Sequence, residues 1–166
     1  GVKLMRVIEN DMPLYRLYML IELLFLAKIY QLLIPSKRNK TIVLCVTIFF
    51  LIWWIIELTT PQIWAFPDAL RFSQGIIVLL WTGAYFLKVF KEGFVENLLR
   101  ETGFWISAGL AIYFSSNSLL FLFSEFVVHL SDQSYYLIWT VHAFLTILLY
   151  IAYTIAIQCK TNHNLS

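Results

Sequence analysis

Charge is what this chain has least of. Asp, Glu, Lys and Arg make up 13% of its 166 residues, about half the share of roughly 25% found in soluble domains, and too little polar surface to coat a water-soluble globule. Cysteine is scarce as well. Cys45 and Cys159 supply no disulfide framework and no ligand-spaced pair for a metal. The six glycines are scattered, so a Gly-rich phosphate loop is excluded, and the Gly75/Gly83 and Gly103/Gly109 spacings miss the Gly-x-x-x-Gly pattern. No His-Glu-x-x-His or Gly-x-Ser-x-Gly occurs, and His129, His142 and His163 fall at different depths of the membrane topology set out below. These absences predict a non-enzyme without metal or cofactor. A formal net charge of +2 with Lys and Arg in short clusters also gives nucleic acid nothing to bind.

What the chain has in excess is apolar length. Hydrophobic residues are 60% of the total, and they gather into five runs of about twenty, each enough to cross a bilayer as a helix. Lipid offers no water to unpaired backbone groups, so such runs must be helices. The fold class expected is therefore all-α: a polytopic transmembrane helical bundle forming one membrane domain over 1–166. Its spans run over about 13–34, 41–58, 70–90, 103–125 and 135–159. Pro13 suits a first helical turn, Pro35 to Lys40 reads as a tight basic turn, and Pro61 and Pro67 break the next connection. The mixed-charge stretch 91–102 reads as a short interfacial helix.

Loop charge sets the orientation, because Lys and Arg are retained on the cytoplasmic side. Lys37, Arg38, Lys40, Lys88, Lys91, Arg100 and Lys160 lie on one side, with Lys28 within snorkelling reach; Lys3, Arg6, Arg16 and Arg71 lie on the other. The first set faces the cytoplasm, which puts the C-terminus inside and the segment before the first span outside. Residues 1–12 lack the apolar core of a signal peptide. An exterior start without one predicts one or two spans upstream, hence a six- or seven-helix protein. Tyr15, Tyr18, Trp64, Phe66, Tyr135, Tyr136 and Trp139 fall at the outer interface and Tyr30 and Trp105 at the inner, as amphipathic rings prefer. Trp53, Trp54 and Trp81 sit deeper, as packing residues.

Ionisable groups inside a bilayer are costly, so they come first as candidates for function. Glu22 lies nine residues beyond Pro13, about 13 Å along a helix and near the midplane. There it is either neutral or paired across helices. Asn117, about 21 Å from the inner end of the fourth span, and His142, about 10 Å below the outer end of the fifth, reach the outer half from other spans. Arg16, Glu57, Arg71 and Gln74 form an outer rim, together with Glu125 and His129. One reading is an outward-facing polar pocket for a small-molecule ligand, with Glu22 as its floor and Asn117 and His142 as its walls. The plainer reading makes Ser115 to Ser118 interhelical packing residues, His142 a satisfied packing histidine, and Glu22 a hydrogen-bonding residue of the bundle. For the serine stretch and His142 the plainer reading is preferred.

Three stretches carry a resemblance: Pro13 to Tyr18 leading into Ile21-Glu22, Phe104 to Tyr113, and Leu148 to Ala156. Together they resemble an uncharacterised family of six- or seven-span inner-membrane proteins of Bacteroidota. The resemblance implies a bacterial inner-membrane location and upstream helices, and it assigns no residue a role. The leading expectation is a non-enzymatic sensory or signalling membrane subunit, with the polar pocket outside and the basic cytoplasmic loops open to a protein partner. A small-molecule or proton-coupled transporter using Glu22 and His142 is the first alternative. A structural subunit of a larger membrane assembly is the second.

Overall fold

Proline 35 sets the first corner of the chain. It lacks an N–H and disfavours helical backbone at the residue before it, so the first helix, α1 (Met12–Leu33), stops just short of it. The amide of Ile34 closes the last turn on Tyr30 O at 3.0 Å. Ser36 then opens α2 (Lys37–Leu58): its extended backbone and its Oγ, accepting from Asn39 N at 3.2 Å, make an N-cap. Asn39 Nδ2 reaches back to Ile34 O at 3.1 Å. With this cap the helix begins four residues before the expected position 41, and Lys37 to Lys40 form its first turn instead of a loop. In the computed structural model the described residues are 12–59, 67–92, 98–122 and 132–163, with side chains at all of these except 68, 92, 119–122, 132–135 and 160–163.

Among the described residues every regular element is helical. After α1 and α2 come α3 (Asp68–Glu92), a single 3₁₀ turn (Leu98–Arg100), α4 (Thr102–Leu122) and α5 (Asp132–His163). The turn occupies part of the expected interfacial helix 91–102; residues 93–97 lie outside the description, as do Trp64, Phe66, Glu125 and His129. Three helical stretches are long and apolar enough to cross a membrane: Lys37–Leu58, Ala69–Lys91 and Tyr136–Cys159. A 22-residue helix such as α2 is about 33 Å long, against a hydrocarbon core of about 30 Å. Helix α1 has the same length but carries Arg16, Glu22 and Lys28 in its interior, while the 21-residue α4 carries no Asp, Glu, Lys, Arg or His.

The chain divides into two compact units, residues 1–74 and 75–166, with the boundary inside α3. In the first unit α1 packs on α2. Helix α1 buries Arg16, Met19, Leu23, Leu26, Ala27 and Tyr30, the spacing of one helical face. Its opposite face exposes Leu14, Leu17, Ile21, Leu24, Phe25 and Leu32. Helix α2 buries Val43, Thr47 and Phe50 and exposes Ile42, Leu44, Ile48, Phe49, Ile52 and Ile55. An outer face as apolar as the inner one is the pattern of a helix bathed in lipid, not in water. Thr47 spends its hydroxyl on Val43 O one turn back, at 2.7 Å, so no buried donor is lost there.

In the second unit α4 packs along α5. The approach is close because Gly109 has no side chain: a Cβ there would lie 2.7 Å from Ala152 Cβ and 3.2 Å from Leu149 Cδ1. Small residues at such contacts let backbones approach, which is how membrane helices gain packing without a hydrophobic driving force between them. Thr102 Oγ1 donates to Ala156 O at 3.1 Å across the same seam. The 3₁₀ turn is pinned by Trp105 Nε1 donating to Leu99 O at 2.9 Å. Tyr85, Phe86, Phe104 and Trp105 form a run of edge and tilted ring contacts, with centroids 5.7 to 6.1 Å apart. On α3, Gly75 sits directly under Ser118 Oγ, with Phe114 Cδ1 next nearest.

Candidate functional site

Each unit holds one polar cluster, and the larger lies in the first. Arg16 is in the second turn of α1, Glu57 in the last turn of α2, and Arg71 and Gln74 in the first two turns of α3. All belong to the end of the unit opposite the Pro35 corner. Arg16 Nη1 donates to Glu57 Oε2 at 2.9 Å, with the arginine side chain 1% exposed and the glutamate 17%. Trp54, one turn before Glu57, donates its Nε1 to Arg16 O at 3.0 Å. Helix α2 thus holds both the side chain and the backbone of Arg16.

Glu22 is the centre of the second ion pair. Arg71 Nη1 donates to its Oε2, Gln74 Nε2 donates to the same oxygen at 2.8 Å, and Tyr18 OH donates to Oε1 at 3.3 Å. Gln74 also links the two helices through Met19 O at 3.2 Å, and its Oε1 accepts from Arg71 Nη1 at 3.0 Å. The Arg71 guanidinium lies 6.0 Å from the centre of the Tyr15 ring, within cation–π range. Two arginines and two glutamates leave the cluster formally neutral, which is the condition for burying charge.

The depth of Glu22 follows from helix geometry. Its Cα is ten residues into α1, about 15 Å from the helix start. Side chains on a helix lean toward its N-terminus, and the bond to Tyr18, one turn earlier, shows that lean. The carboxylate is therefore carried about a turn nearer the rim than its backbone, within reach of Arg71. Position along the helix fixes the Cα alone, and pairing with Arg71 and Gln74 joins Glu22 to the residues read as a rim.

The second unit holds the other two candidates together. His142 Nδ1 and Asn117 Oδ1 are 2.7 Å apart. Asn117 is fully buried and donates its Nδ2 to Tyr113 O at 2.9 Å, so Oδ1 is the acceptor and His142 Nδ1 carries the proton. Trp139 meets the imidazole edge-on at 5.6 Å, and Tyr113 lies at 6.0 Å. The serine stretch divides: Ser115 and Ser116 are exposed, whereas Ser118 is buried against Gly75, its Oγ without a hydrogen-bond partner among the described residues. Glu22 belongs to one unit and Asn117 and His142 to the other, so each half of the expected pocket stands within its own unit.

Sequence reasoning missed Tyr18, Tyr15 and Trp54 as members of the charged cluster, reading them as interfacial or packing aromatics. Tyr18 had a signal, since it lies four residues before Glu22 on the same helix face. Trp54 had none, because its partner is a backbone carbonyl on another helix. Cys45 and Cys159 are free thiols. Among the described residues no three His, Cys, Asp or Glu side chains group closely enough to hold a metal ion.

The fold and the cluster define a class: an all-helical protein with three stretches able to span a membrane by length and composition. Comparison with protein-family models, with curated proteins and with solved structures gives no match.

Proposed function

We propose that this chain is the membrane-embedded subunit of a sensory or signalling assembly in a bacterial inner membrane, with five helices crossing the bilayer. The three spans recognisable by length and apolarity support the count. So does α4, of nearly the same length and without charge, and α1, whose Arg16 and Glu22 are paired within the protein rather than left to lipid. Loop charge supports an outward-facing charged cluster and an inward-facing C-terminus.

One observation carries the sensory reading. The Glu22 carboxylate accepts from Arg71 and Gln74 on α3, while Arg16 on the same α1 pairs with Glu57 on α2. Three helix ends are tied by charges that an incoming polar or charged small molecule can exchange, and an exchange of partners there changes how the helices are held. A helical protein with no soluble catalytic region among its described residues passes such a change on through a partner at its basic face.

The test is photocrosslinking in native membranes from Arg100, which is exposed at the 3₁₀ turn. A signalling subunit gives a discrete protein adduct whose yield changes in Glu22→Gln. Charge-dependent uptake by proteoliposomes that Glu22→Gln abolishes, without any adduct, refutes signalling in favour of transport. An adduct indifferent to Glu22→Gln refutes it in favour of a structural subunit.

A further inference from the structure

The described cations of the first unit fall into two sets with opposite fates. Arg16 and Arg71 are buried and paired with glutamates at one end. At the other end Lys28, Lys37, Arg38 and Lys40 are exposed, and none has an ion-pair partner among the described residues. The first turn of α2 contains no acidic residue. Three cations opening a helix oppose its macrodipole, whose positive end is at the N-terminus. Among the described side chains of the unit the anions are Glu22 and Glu57, both paired at the other end.

The surface below these cations is apolar and faces outward. Along α2 the exposed positions continue from Lys37, Arg38 and Lys40 through Ile42, Leu44 and Cys45 to Ile48, Phe49 and Ile52. Lys40, Leu44 and Ile48 lie one helical turn apart, as do Arg38 and Ile42, so each cation stands above an apolar rail. Helix α1 adds a parallel rail of Phe25 and Leu32, 68% and 66% exposed, with Lys28 between them. A ligand that complements this surface needs an anionic head and apolar tails of membrane length.

We infer that the α1–α2 corner is a docking site for an anionic phospholipid, its phosphate held by Lys37, Arg38 and Lys40 and its acyl chains lying on the exposed face of α2. Lys28 snorkels toward the same headgroup. The site is separate from the Glu22 cluster and does not depend on the signalling reading. The charge match is that of juxtamembrane basic clusters with anionic leaflets, where each cation near the surface contributes about 1 kcal/mol.

Cys45, exposed on the rail two turns below Lys37, gives the experiment its probe. The full chain with Cys159→Ser is labelled at Cys45 with bimane and reconstituted in phosphatidylcholine vesicles containing phosphatidylglycerol. One lipid at a time carries brominated acyl chains. Brominated phosphatidylglycerol should quench as if enriched about fivefold over brominated phosphatidylcholine, the factor one such cation supplies. Combined Lys37→Gln, Arg38→Gln and Lys40→Gln should return the ratio to one, while the quenching by phosphatidylcholine shows that the variant remains inserted. A ratio of one in the parent protein overturns the inference, and so does enrichment that survives the triple change. Displacement by inorganic phosphate at constant ionic strength also overturns it, showing a site for a soluble anion. A photocrosslink from position 38 to a protein in place of lipid assigns the corner to a protein partner and overturns it as well.

Discussion

Removing the Glu22 carboxylate strands a buried arginine. In Glu22→Leu, Arg71, whose side chain is 2% exposed, loses the anion that balances it, and Gln74 Nε2 and Tyr18 OH each lose an acceptor. Breaking a buried pair from one side costs about 3–5 kcal/mol. Because the Glu22 side chain is 16% exposed, the lower figure of about 3 kcal/mol applies, for Glu22→Leu and Arg71→Leu alike. Replacing both removes the stranded charge together with its partner, so the double variant should lose no more than either single variant, about 3 kcal/mol, rather than about 6. Glu22→Gln should fall between the parent protein and Glu22→Leu, since an amide oxygen in the place of Oε2 still accepts from Gln74 and Arg71 while its NH2 meets the Tyr18 hydroxyl, which can accept. The measurement is reversible unfolding in bicelles by steric trapping, run as a four-member cycle. Additive losses, with no coupling between the two positions, refute the claim that the pair is one energetic unit.

Three more outcomes follow from the second unit. Gly109→Leu should separate α4 from α5, because even a Cβ would come within 2.7 Å of Ala152; an engineered disulfide across that seam, efficient in the parent chain, should fail to form. Gly75→Ala should destabilise by about 1–3 kcal/mol through overpacking against Ser118 Oγ, and adding Ser118→Ala should recover most of the loss in the same unfolding assay. Asn117→Ala should cost about 1–3 kcal/mol by taking the acceptor from the His142 Nδ1–H and a side-chain donor from Tyr113 O. Nitrogen NMR of the His142 ring, expected to show Nδ1 protonated in the parent protein, should then lose its fixed tautomer.

Helix positions were readable from the sequence because the apolar runs are about as long as a bilayer core is thick and some end at a residue with a known effect, such as Pro35. The start of α2 was misjudged by four residues. Basic residues look like loop, and the Ser36 cap that recruits them into the helix acts through a single hydroxyl. The rim residues Arg16, Glu57, Arg71 and Gln74 were visible as polar positions near span ends, but their pairing was not. Which arginine meets which glutamate depends on helix rotation and on side-chain lean, and depth along a span encodes neither. The contact of Asn117 with His142 was hidden for the same reason, since it joins residues 25 positions apart on helices whose apolar faces carry little directional pattern.

The lipid-facing surface has a consequence for how this protein can change over generations. Positions such as Ile48, Phe49 and Ile52 are exposed on a helix long and apolar enough to cross a membrane, and against acyl chains Leu, Ile, Val, Phe or Met would serve alike at each. Substitution there is nearly free. The positions that packing and pairing constrain are few by comparison: Arg16 with Glu57, Glu22 with Arg71 and Gln74, Asn117 with His142, and the small residues Gly109 and Ala152. Distant relatives are to be sought by those pairs and their spacing along the chain, since each pair needs specific residue types and the exposed apolar faces need only an apolar one.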